Sequence, residues 1–107
     1  MSNSRFASKE IALPLLHVTH ENSLPSIFRH GLQSCYGRRR RVVWLCDADR
    51  LIWALQHVPE SHGWQESDVQ VLAAYVPRTW LATFRNGVYI CSRDIPSWLI
   101  TMSNPVQ

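Results

Sequence analysis

Apolar and polar positions divide the chain into short segments, each with its own period. Residues 11–18 are apolar and interrupted by Pro14; Leu15, Leu16 and Val18 predict a buried strand with His17 near its end. Asn22 and Ser23 then offer helix N-caps, and Pro25 falls in the first turn, where its missing N–H costs nothing. Leu24, Ile27 and Phe28 share one helical face, Gly31 supplies a left-handed stop, and Leu32 is the hydrophobic contact that goes with it. Residues 33–41 are polar and read as a loop. Residues 42–46 are β-branched and aromatic and predict a strand. Asp47 or Asp49 caps a second helix with Leu51, Ile52, Ala54, Leu55 and Val58 on its apolar face, and Pro59 is expected to end it. A polar loop over 60–68 precedes a strand over 69–76, closed by Pro77. Residues 79–83 fit a short strand or a turn. Asn86-Gly87 signals a hairpin, since both residues tolerate positive φ, and residues 88–91 form the strand after it. Ile95, Trp98, Leu99 and Ile100 predict a last short strand or helical turn around Pro96. The order is βαβα followed by a run of strands, an α+β arrangement with two early helices and the sheet late.

Composition narrows the class. A chain of 107 residues fits one domain, read here as a lead-in over 1–10 and a single domain over 11–107. With 46% hydrophobic and 18% charged residues, a packed core is within reach. The formal charge is +3, but Arg38, Arg39, Arg40 and Arg41 stand in one run, and without them it would be −1. A protein coating polyanions over its whole surface is therefore not expected. No apolar run reaches the roughly 20 residues of a membrane span, and residues 1–10 lack the apolar stretch of a signal peptide. Three cysteines without a C-x-x-C spacing fit a reducing cytoplasm better than a disulfide framework.

Several chemistries lack their residues. There is no G-x-G-x-x-G, P-loop or G-x-S-x-G motif. His17, His20, His30, Cys35, Cys46, His57, His62 and Cys91 follow no zinc-site spacing, so no metal is expected. Nothing beside Cys46 or Cys91 suggests an activated thiolate.

Four segments taken in order do carry a resemblance. Leu15-Leu16-His17-Val18-Thr19 resembles the first motif of the ADP-ribosyltransferase superfamily, a strand with a histidine followed by Gly or Val and Thr. Residues 23–32 resemble the helix ending in Gly-Leu that follows it. Val42-Val43-Trp44-Leu45-Cys46 resembles the second motif, with residues 48–54 as its helix. Arg85-Asn86-Gly87-Val88-Tyr89-Ile90, followed by Asp94-Ile95-Pro96, resembles the closing part of the RNA 2′-phosphotransferase branch. The resemblance covers about residues 13–101 and implies a compact split β-sheet fold that binds NAD or ADP-ribose. It implies that His17 orients a ribose hydroxyl, with Val18, Thr19, Trp44, Leu45 and Asn86 around the cofactor. Trp44 would wall the nicotinamide, and Arg40 and Arg85 would steady phosphates as the catalytic cations beside His17. The reaction implied is transfer of ADP-ribose, or removal of an RNA 2′-phosphate with NAD. The sequence departs from the pattern in two places: residues 86–90 lack the carboxylate of the third motif, where Val88 or Asn86 falls nearest, and Trp44 replaces a histidine of the phosphotransferase branch.

Each of these residues also has a plainer reading. His17 fits a core histidine bonded to a backbone carbonyl, Trp44 fits core, Thr19 fits a turn, and Arg85 fits surface. The arginine run fits a solvated loop. A rival function is a small nucleic-acid-binding or protein-interaction module without catalysis, contacting RNA or DNA phosphates through Arg38, Arg39, Arg40 and Arg41, with Tyr36 and Trp44 as stacking partners.

Overall fold

A computed structural model describes residues 12–36 and 41–103. The proposed lead-in and Arg38, Arg39 and Arg40 lie outside the described residues. The elements follow the order β1 (Ala12–His20), α1 (Leu24–His30), β2 (Val43–Cys46), α2 (Leu51–His62), β3 (Val69–Pro77), β4 (Leu81–Arg85), β5 (Val88–Cys91) and β6 (Ile100–Met102). Six strands form one antiparallel sheet in the order β4-β5-β2-β1-β3-β6, so the protein is α+β with two helices.

Pairing across the sheet is uneven. β1 and β3 pair along their whole length, from Ala12 opposite Pro77 to His20 opposite Val69. β2 and β5 pair from Val43 opposite Cys91 to Cys46 opposite Val88. Between β1 and β2, by contrast, the register holds at Leu16 opposite Cys46 alone among the described residues. The sheet is thus two well-paired halves, β4-β5-β2 and β1-β3-β6, joined at a narrow seam.

Strand alternation sends side chains to two cores. On one face Leu15, Val43, Leu45, Leu72, Ala74, Val76, Cys91 and Ile100 pack with Ile27 of α1 and with Leu32 and Ile95. On the other, Val18, Cys46 and Val71 pack under Leu51 and Ala54 of α2.

Three local expectations are corrected. Pro59 does not end α2. The helix runs on to His62, and Gly63 closes it at φ 72°, with Gly63 N–H donating to Glu60 O (3.3 Å) and Trp64 N–H to Pro59 O (2.9 Å). That is a complete Schellman closure. Pro59 is buried, and the indole of Trp64 stacks on His62 (4.5 Å) and meets His20 edge-on (5.5 Å), so tertiary packing holds the last turn. Gly31 does stop α1 at positive φ, but at ψ −176°, outside the left-handed helical well. Its backbone runs against Ile95, where a Cβ would fall 2.2 Å from the carbonyl oxygen. In the β4–β5 hairpin only Gly87 takes positive φ (83°), not Asn86. The turn is therefore not of the type that needs two such residues, and a bulge between Thr83 and Arg85 absorbs the difference.

Candidate functional site

The seam is where His17 and Thr19 stand. His17 follows Leu16, the residue that joins β1 to β2, and its Nδ1 lies 2.8 Å from the carbonyl oxygen of Trp44. A carbonyl can only accept, so Nδ1 carries the proton, and in the neutral ring Nε2 is left as an acceptor. Burial pulls the His17 pKa below its ordinary value of 6.5, outweighing the opposing effect of the Trp44 carbonyl. His17 is thus a neutral imidazole of fixed tautomer at pH 7. Its Nε2 has no partner among the described residues.

Alternation assigns the other positions. His17 and Thr19 share the α1 face with Leu15, while Val18 turns into the core under α2. On β2, Val43 and Leu45 face the α1 side, and Trp44 faces the α2 side with Cys46. The Trp44 indole meets Phe84 of β4 edge-to-face at 4.8 Å. Trp44 therefore serves His17 through its carbonyl, and its ring stands on the opposite side of the sheet. Leu45 is 2% exposed and lies in the core.

A row of residues crosses the α1 face at the level of His17. Thr83 pairs with Tyr89, Tyr89 with Leu45, and His17 with Leu72. Tyr89, packed against the core and still half-exposed, is thus the residue of β5 in line with Leu45. Val88 instead stands opposite Cys46, on the other face. Sequence reasoning passed over Tyr89 as a site residue; the signal available was its place as the aromatic of the Asn-Gly-Val-aromatic strand.

β2 runs antiparallel to β1, so the segment leading into it, with exposed Arg41 and buried Val42, lies at the end of the sheet where β1 finishes at Thr19 and His20. Arg85 and Asn86 lie at the opposite end, two strands away. There Asp47 N–H donates to Gly87 O (3.0 Å), Arg50 Nε–H donates to Asn86 O (2.9 Å), and the Asp47 carboxylate caps the turn before α2 by accepting from Arg50 N–H (3.2 Å). The structure brings His17, Thr19, Leu45 and Tyr89 to one face and holds Arg85 and Asn86 apart from them.

The other candidate chemistries find little footing. Burial, helped by the Asp47 charge, pushes the Cys46 thiol up to about 11, and burial also raises Cys91, whose Sγ donates to the Arg93 carbonyl at 3.2 Å. Neither is a thiolate at neutral pH. Among the described residues no three His, Cys, Asp or Glu side chains cluster as a metal site would require, and no helix is long and apolar enough to cross a membrane. No protein-family model matches this sequence, and no curated protein matches it.

Proposed function

We propose that the chain is an ADP-ribosyltransferase-type domain that binds NAD or ADP-ribose on the α1 face of the sheet, across the β1–β2 seam. The observation that carries this reading is the fixed tautomer of His17: a neutral imidazole with Nδ1 held by a backbone carbonyl and Nε2 open to accept a hydrogen bond. A ribose hydroxyl is a donor suited to that acceptor. Thr19 adds a hydroxyl on the same face, Tyr89 an aromatic ring in the same row, and exposed Arg41 precedes β2 at the end of the sheet where β1 finishes. Arginine forks suit phosphate oxygens.

Loss of nicotinamide passes through an oxocarbenium-like state, which needs negative or dipolar groups aimed at the sugar. Residues 86–90 offer no carboxylate, so binding is the primary activity proposed, with ADP-ribose transfer or removal of an RNA 2′-phosphate as the reaction class. An NMR titration of the isotope-labelled chain with NAD and with ADP-ribose tests it. Shifts centred on His17, Thr19 and Tyr89 are expected, with affinity at least tenfold weaker in His17→Ala. Absence of shifts at millimolar ligand overturns the reading.

A further inference from the structure

The outer edge of the sheet at β4 differs in kind from the rest of the molecule. Residues of a strand alternate between faces, yet Ala82, Thr83, Phe84 and Arg85 are all exposed. β4 is anchored at its start by Leu81, which packs against the core, and through Phe84 on Trp44, while residues 82–85 face solvent along the strand. Among the described residues its other edge carries no strand. Such an edge presents backbone N–H and C=O groups to any extended chain that can approach.

Charge decides which chain that is. From Val69 to Arg93 the sequence contains no carboxylate and three arginines, Arg78, Arg85 and Arg93, bounded by Asp68 and Asp94. Arg78 and Arg93 flank the start of β4, and Arg85 ends it. Two of the guanidinium groups rest on aromatic rings: Arg93 lies 4.3 Å from the centroid of Trp80, and Arg85 lies 5.2 Å from that of Phe84. Stacking of this kind limits the conformations of the side chain while leaving the planar fork free to bind carboxylate. Phe84 itself is 41% exposed and sits against Trp44, giving an apolar position between the basic ends.

From these observations we infer that β4 is a docking edge for an acidic peptide segment in extended conformation, which adds to the sheet as a seventh strand. Main-chain hydrogen bonds to β4 supply the attachment, carboxylates meet Arg85 and Arg93, and an apolar side chain lies on Phe84. A second copy of this chain fits less well, because it would bring Arg78, Arg85 and Arg93 against the same three arginines. The inference does not depend on the NAD reading, since the edge lies across the sheet from His17.

The test uses the full chain and a capped eight-residue peptide of alternating Glu and Val. Chemical shifts and amide exchange of residues 81–85 are followed as peptide is added to millimolar concentration. Expected are slowed exchange on β4, at least tenfold weaker binding to a folded Arg85→Glu, Arg93→Glu variant, and loss of binding when alternate peptide amides are N-methylated. Four results overturn the proposal: no effect on β4 at millimolar peptide; equal binding of a Lys-Val peptide; equal binding of the N-methylated peptide; or protection of β4 that rises with protein concentration without peptide, which marks self-pairing. An oligouridylate that competes fully with the peptide and itself slows exchange on β4 also overturns it in favour of a nucleic-acid edge.

Discussion

His17 has an acid–base consequence that can be measured without any ligand. Its folded-state pKa is lowered by burial, so the unfolded chain binds a proton more readily than the folded one. Stability contributed by the neutral ring is present in full above its ordinary value of 6.5 and is lost as pH falls from there toward the lower folded value. One proton sets an upper limit of about 1.4 kcal/mol per pH unit on that slope. Urea unfolding of wild type and His17→Gln between pH 7.5 and 5 should show a steeper acid loss in wild type. Parallel curves would mean that His17 is not the group being titrated. His17 stood out in the sequence through the resemblance of Leu15-Leu16-His17-Val18-Thr19 to a first motif, and its place inside a strand was legible from the apolar residues around it. Its tautomer was not, since that depends on the carbonyl of Trp44, which lies 27 residues later and comes close only across the seam. The ring of Trp44 was assigned to the same pocket, but pleating puts neighbouring side chains on opposite faces, and a one-residue step moved it to the side of Phe84.

At the scale of elements, the two helix stops show what sequence can rank and what it cannot. Gly31 and Gly63 both take positive φ and both end a helix. Their surroundings differ. A Cβ on Gly63 would meet nothing within 4 Å, whereas one on Gly31 would collide with the Ile95 carbonyl in a backbone region open only to glycine. Gly63→Ala should therefore cost about 1–2 kcal/mol, the ordinary penalty for a left-handed alanine. Gly31→Ala should cost about 3 kcal/mol or more, and would disrupt the Leu32–Ile95 bridge that ties α1 to the last strands. Urea midpoints of the two variants test the ranking; equal losses would show that the approach to Ile95 relaxes freely. Gly31 was readable as a stop because a helix stripe ends there. Gly63 was overlooked because Pro59 came first and carries the stronger local rule, and only the packing of Trp64 on His62 and His20 shows why that rule yields. β1, β2, β3 and β5 were legible from their apolar and β-branched runs, whereas the segments of β4 and β6 fit a strand or a turn equally, and the order of strands in the sheet was not legible, because each local pattern is silent about its partner.

The whole molecule is best understood as two three-stranded halves that share a seam. β1 and β3 are bonded throughout and cover a core of fully buried side chains, among them Leu72, Ala74 and Val76. β2 and β5 form the matching ladder of the other half. Between them, one register pair and the His17–Trp44 hydrogen bond replace what would otherwise be a continuous ladder. Backbone amides in such a junction open by local fluctuation, whereas those inside β1–β3 require something close to global unfolding. Native-state hydrogen exchange should therefore rank β1–β3 amides slowest and those of β2 facing β1 distinctly faster. His17→Ala removes a side chain that bridges the halves, so it should speed exchange at the seam and in β2–β5 while leaving the β1–β3 ladder nearly unchanged. Uniform acceleration across all six strands would refute the two-half description, since it would make the seam as cooperative as the ladders beside it. A localised effect would show that the His17–Trp44 hydrogen bond also governs how freely the two halves move. A ligand bridging them at His17 would then slow exchange at the seam by more than its own contacts protect.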